Sequence, residues 1–103
     1  MTNIIRAPAA DDDLLAIGLY GASEWGADRA QAFVGSFEEA FSLLSRHPDI
    51  GRERPDVGQG IQSWLHRSYV IYYRHCDEEV VIGRVLHGSA EPKSPLTFGE
   101  LQD

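Results

Sequence analysis

Cysteine is nearly absent from this chain. Of 103 residues only Cys76 carries a thiol, so no intrachain disulfide can brace the fold and nothing calls for an oxidising compartment. Long apolar runs are missing as well. No wholly apolar stretch is longer than the five residues Tyr69 to Tyr73, far short of the roughly 20 that cross a bilayer. The first ten residues have neither an apolar h-region nor a cluster of cations, so no signal peptide is expected and the cytoplasm is the expected location. Cations are scarce: one Lys and eight Arg stand against sixteen acids, a formal net charge of −7 at pH 7. A sequence-independent nucleic-acid binder draws its affinity from phosphate neutralisation, so this balance excludes one, and it disfavours an anionic membrane surface for the same reason.

Metal and phosphate motifs are also lacking. His66, His75 and His87 fall one to a strand-like run with no close ligand spacing, and a single Cys cannot complete a thiolate set, so no metal site is expected. Gly58-Gln59-Gly60 lacks the longer glycine spacing of a phosphate-binding loop and leads into a strand. No cofactor is expected.

What is present is the composition of one compact domain spanning residues 1–103, 43% hydrophobic and 24% charged, long enough for one thin core. Asn3 to Arg6 reads as a short strand ended by Ala7-Pro8. Asp11, Asp12 and Asp13 are expected in the first turn of a helix, where they offset its N-terminal dipole, and Leu14, Ile17 and Tyr20 follow at helical spacing. Trp25-Gly26 predicts a corner, with Asp28 placed to cap the next helix. That helix carries one apolar stripe, Ala30, Phe33, Val34, Phe37, Phe41 and Leu44, and stops at Pro48. A short connection makes the pair an antiparallel hairpin.

Asp49 to Gly60 reads as a loop. Ile61 to Arg67, Tyr69 to His75 and Val80 to His87 read as strands, the last two joined by the polar tip Cys76-Asp77-Glu78-Glu79. From Gly88 onward no period is visible; Leu96 and Phe98 are expected to dock while the rest of the tail frays. The order β-α-α-β-β-β predicts an α+β fold, an αα-hairpin on one face of a small, mostly antiparallel sheet.

Charge is segregated along the chain. Residues 46–74 hold five arginines against three acids, whereas both flanking segments are acidic. Arg52 and Arg54 on the loop, with Arg74, Arg84 and His87 on the strands, are the candidate target-binding residues. Arg84 has a bland alternative, an ion pair with nearby Asp77 or Glu79. Tyr20, Trp25, Phe33, Phe37 and Trp64 are the candidate contacts for a protein partner. Trp25 is expected to pack the helix corner, and Trp64, on an outer strand, to be the more exposed of the two tryptophans.

Taken in order, Ala7-Pro8-Ala9-Ala10, Asp13-Leu14 with Ile17 and Tyr20, Trp25-Gly26, the Phe37 to Leu44 stripe running into His47-Pro48, Ile50-Gly51-Arg52, Val70-Ile71-Tyr72-Tyr73-Arg74 and Arg84-Val85-Leu86-His87-Gly88 resemble the ParE toxins of the RelE/ParE superfamily. The resemblance covers about residues 5 to 98. It implies a bacterial toxin that binds and inhibits DNA gyrase and forms a hetero-oligomer with a cognate ParD-like antitoxin, whose extended C-terminal segment wraps over it. DNA would then be contacted only through the antitoxin. Where such chains run into a basic tail, this one has Ser89-Ala90-Glu91-Pro92-Lys93.

Two other functions remain open from the residues. A RelE-like, ribosome-dependent mRNA endonuclease needs a base, an acid and cations around the scissile phosphate; the arginines, histidines and tyrosines supply the types. After Gly88, however, there is no Tyr, Arg or His. The other is an inactive toxin homologue kept as a binding module. The expectation is therefore a binding protein and not an enzyme.

Overall fold

A computed structural model describes residues 2–98, so the end of the tail lies outside the described residues. The elements follow the order β1 (Asn3–Arg6), α1 (Pro8–Trp25), α2 (Ala27–Arg46), β2 (Arg52–Glu53), β3 (Gln62–His66), β4 (Tyr69–Cys76) and β5 (Glu79–His87). They form one five-stranded sheet in the order β1-β5-β4-β3-β2. β1 runs parallel to β5 and every other neighbouring pair is antiparallel.

Helix α1 starts earlier than the three aspartates suggested. Pro8 takes its first position, where a missing N–H costs nothing and the fixed φ suits the helix. Only Asp11 lies in the first turn. The corner between the helices is the single residue Gly26, whose φ of 92° is open to glycine. Its N–H donates to the Ala22 carbonyl and its own carbonyl accepts from Ala30, so one residue ends α1 and starts α2. Asp28 sits inside the first turn of α2 and makes no cap.

The helical pair covers one face of the sheet. Leu14, Ile17, Phe37, Phe41 and Leu44 pack against Ile71, Tyr73, Val80, Ile82 and Val85 in one buried cluster. Each fully buried side chain of this size contributes roughly 1.5–3 kcal/mol. On the opposite face Leu96 and Phe98 dock as expected, joining Ala7, Val57, Ile61 and Tyr72 in a second cluster.

Two features of this second face escape a reading by period. The stretch read as a loop contains β2, a two-residue edge strand registered as Arg52↔Ser63 and Glu53↔Gln62. In the β4–β5 ladder Tyr72 faces Arg84 and Tyr73 faces Ile82, which leaves Gly83 over as a bulge. The Phe98 ring occupies the space a side chain at Gly83 would need, so the bulge is the seat of the tail. The β4–β5 tip is also tighter than expected, with Asp77-Glu78 alone between the strands.

Candidate functional site

The five candidate target-binding residues are engaged in different ways. Arg84 reaches helix α1: its Nε and Nη2 donate to the Asp13 carboxylate at 2.7 and 3.0 Å, and the Val85 N–H donates to the same group at 2.9 Å. The structural role foreseen for Arg84 holds, but the partner is Asp13, not Asp77 or Glu79, because the fold lays α1 across β5. Asp13 is thereby more than a dipole-compensating charge, and it holds Arg84 above the ordinary guanidinium range. Arg54 donates to both oxygens of Asp56, at 3.0 and 2.9 Å, and lies 5.5 Å from the Tyr72 ring centroid. Arg74 covers Phe98 at 4.7 Å, which suits a cation over an aromatic face. His87 contacts Ser89 through Nδ1 at 2.8 Å and meets the Tyr69 ring edge-on. Arg52 is exposed, and among the described residues no carboxylate lies within ion-pairing distance of it.

The histidines are likewise engaged one by one. Ser36 Oγ donates to the Phe33 carbonyl at 2.6 Å and meets His66 Nε2 at 2.8 Å. A hydroxyl has one proton, so Ser36 accepts from His66 and is not activated by it. Burial, with Arg67 adding to it, pushes the His66 pKa below its usual value. His75 contacts Asp49 through Nδ1 and the Asp77 carbonyl through Nε2. Tyr73 is fully buried; its hydroxyl donates to the Pro48 carbonyl at 2.8 Å and accepts from the Gly51 N–H at 2.9 Å, anchoring the entry to β2. Burial raises its pKa.

Of the candidate partner contacts, Tyr20 and Trp25 lie on the surface, 59% and 45% exposed. Phe33 is half-buried, linking Trp25 to Phe37 and Tyr69 in a chain of ring contacts between 5.6 and 5.8 Å. Phe37 is fully buried in the core and so cannot present its ring to a partner; its position in the helical stripe that faces the sheet puts it there. The two tryptophans are reversed from expectation. Trp25 is exposed, because the one-residue corner holds it outside the helix pair, while Trp64 packs against the main core.

A concave apolar surface lies elsewhere. On the outward side of the hairpin, α1 supplies Leu14, Leu15, Gly18, Leu19 and Ala22, and α2 supplies Ala27, Ala30, Gln31, Val34 and Gly35, to a groove of about 710 Å³. Leu15 and Leu19 are 64% and 65% exposed on its wall. None of the five expected partner residues lines it. Its signal was in the sequence: apolar residues at 14, 15, 17 and 19 are too many for one buried stripe, and a helix apolar on two sides has two surfaces to cover.

Comparison with known proteins supplies the family. The model of the ParE toxin of type II toxin–antitoxin systems, parDE, matches residues 4–92. The chain is 31% identical over 88 residues to Toxin ParE3 of Caulobacter vibrioides, covering 85% of this chain and 88% of that one. It is 28% identical over 84 residues to Toxin ParE1 of Mycobacterium tuberculosis, with 81% and 86% covered. Among solved structures, a chain of the chromosomal ParDE TA system from P. aeruginosa shares the fold, with a TM-score of 0.74 over 84% of this chain and 96% of its own, at 24% identity. With the match running through both helices and the sheet to its last strand, the chain belongs to the ParE toxin family of type II toxin–antitoxin systems.

Proposed function

We propose that this ParE toxin arrests growth by binding DNA gyrase, and that a ParD-like antitoxin neutralises it by laying a helical segment in the groove between α1 and α2. The observation that carries the antitoxin assignment is the groove itself, with Leu15 and Leu19 about two-thirds exposed beside a floor of small residues. A contiguous apolar surface of this kind on a small domain marks an interface. The ParDE source of the structural neighbour supports a paired protein as its occupant. Contact with DNA then falls to the antitoxin, which agrees with the toxin's net charge of −7.

For the target, the geometry favours binding over cleavage. His66, His75 and His87 each contact a different partner and no two share one, whereas RNA cleavage requires a base and an acid on either side of one phosphate. The test is a supercoiling assay with purified gyrase run beside a ribosome-dependent mRNA cleavage assay. Loss of supercoiling with intact mRNA is the expected pair of results, and the reverse pair overturns the proposal. Arg52 is the candidate for direct contact with the target, since Arg54, Arg74 and Arg84 are engaged within the chain. Arg52→Glu should weaken gyrase inhibition with no change in the circular dichroism of the fold; unchanged inhibition would remove β2 from the contact surface.

A further inference from the structure

Folding commits several of the nine cations of this chain. Arg6, Arg54 and Arg84 form ion pairs, and Arg74 covers the Phe98 ring. Arg29 and Arg67 are left over: both are exposed, and among the described residues neither guanidinium has an ion pair or a stacked ring. They are far apart in the sequence, yet they line one cleft of about 330 Å³ with Trp25, Ala32 and Phe33. The turn between β3 and β4 brings Arg67 to the corner of the helical hairpin, and α2 presents Arg29, Ala32 and Phe33 from one side because they stand at i, i+3 and i+4. Ala27, Ala30, Gln31 and Val34 line the apolar groove instead, so the two cavities open on different sides of α2.

The floor of the cleft is aromatic. Trp25 is 45% exposed, and its ring is held from behind: a Cβ at Gly21 would come within 3.1 Å of it, and Phe33 meets it edge-on at 5.8 Å. The acids nearby are Glu24 and Asp28, next in the chain to Trp25 and Arg29, and Glu39, which acts on His66. None of the three lines the cleft or lies within ion-pairing distance of either arginine; Asp28 and Arg29, consecutive on a helix, point about 100° apart. Arg67 has a φ of 58°, in the left-handed region that glycine adopts freely and a long side chain rarely does. Among the described residues no ion pair or stacked ring offsets that strain, and strain of this kind collects at binding sites.

We propose that this cleft is a separate protein-binding site, which accepts an aromatic side chain flanked by carboxylates on an acidic segment of a partner. The aromatic ring meets Trp25 and Phe33, and the carboxylates take the two guanidinium groups, whose planar donors suit them bidentately. The volume agrees, since about 330 Å³ lies at the lower end of the roughly 300–1,000 Å³ of ligand sites and holds a side chain, not a helix. Exposed Trp beside Arg is also the composition that carries most of the energy of protein interfaces. A nucleic acid offers stacking rings and anions as well, but a polyanion would have to lie across Glu24, Asp28 and Glu39 on a chain of net charge −7. One or two carboxylates beside a ring can sit on the arginines alone. A second copy of this chain offers no such segment among its described residues: Phe37, beside Glu38, is buried, and Trp25, beside Glu24, belongs to the cleft itself.

The test uses the full chain, followed by heteronuclear NMR and titration calorimetry. The probes are a short peptide with Phe between Asp and Glu, one control with Ala for Phe, another with Lys for both acids, and oligothymidylate. The acidic Phe peptide should shift the Trp25 indole and the Arg29 and Arg67 amides. It should bind about tenfold more tightly than either control at about 50 mM salt, its advantage over the Lys control shrinking toward about 500 mM. Arg67→Gly should weaken that binding about threefold or more with no fall in Tm, since glycine suits the φ of 58°. Arg29→Gln, on the exposed side of α2, should weaken it similarly, and Arg52→Gln should change nothing. Equal binding of the three peptides, binding of none, or binding indifferent to both cleft variants overturns the proposal. A fall in Tm with Arg67→Gly and full binding by Arg29→Gln assigns Arg67 to the fold and also overturns it. Oligothymidylate held more tightly than the acidic peptide at these residues would make the cleft a nucleic-acid site, and self-association abolished by Arg67→Gly would make it a contact between copies; either result overturns the assignment to a peptide.

Discussion

Replacing Asp13 with Ala removes the one group that, among the described residues, ties helix α1 to strand β5 by side-chain hydrogen bonds. Its carboxylate accepts from Arg84 Nε, Arg84 Nη2 and the Val85 N–H, with the Asp13 side chain 14% and the Arg84 side chain 27% exposed. Hydrogen bonds to charged groups contribute about 1.5–3 kcal/mol each, but three that share one acceptor do not add in full. The guanidinium left behind keeps part of its hydration, which lowers the cost below that of a fully buried broken pair. A gross loss of about 3–4 kcal/mol is reasonable on these terms, and the better helix propensity of Ala returns up to about 0.7. The net expectation is a loss of about 2–3 kcal/mol in urea unfolding, or roughly 10–20 °C in Tm for a domain of this size. Asp13→Asn, which keeps one acceptor, should fall between. Adding Arg84→Met to Asp13→Ala should recover part of the loss, with a coupling of about 1–3 kcal/mol across the double-mutant cycle. A loss under about 0.5 kcal/mol, or strict additivity of the two single changes, would refute the claim that this pair joins the helical layer to the sheet.

Tyr73→Phe should cost about 1–2 kcal/mol, because the Pro48 carbonyl and Gly51 N–H lose their shared partner; hydrogen exchange should rise first at β2, and unchanged protection there would count against the anchor. Gly83→Ala should displace the Phe98 ring from the bulge and make the tail open to proteolysis while the helices stay folded. Because the His66 pKa is lowered by folding, the unfolded chain takes up the proton first, so its share of stability is present above about pH 6.5 and is lost as the pH falls below that value. His66→Gln should flatten that part of the stability profile, and an identical profile in the variant would assign the acid sensitivity to another group.

The site was partly legible in the sequence and partly not, for reasons that differ residue by residue. Arg84 was visible as an ion-pairing arginine, but its partner 71 positions away could not be read from a linear neighbourhood that offered Asp77 and Glu79. Phe37 and Trp25 were assigned by type, and type does not decide exposure: the stripe carries Phe37 into the core while the Gly26 corner turns Trp25 out. The groove was written in α1 as surplus apolar residues, yet its shape needs Gly35 and Ala27 from α2 across from Leu15 and Leu19.

The sequence by itself determined the layers of this protein. Period 3.6 in α2, β-branched and aromatic runs in the three long strands and the glycine at position 26 follow from local sterics and side-chain spacing, and they suffice for two helices against an antiparallel sheet. Only the tertiary structure decided which charges cancel and which remain. Bringing α1 over β5 consumes Asp13 and Arg84, and folding the tail onto β4 and β5 consumes Arg74 against Phe98. The scarcity of cations then acquires a location, since a net charge of −7 is a sum over the chain, whereas a partner meets only those charges that folding leaves unpaired beside an open apolar surface.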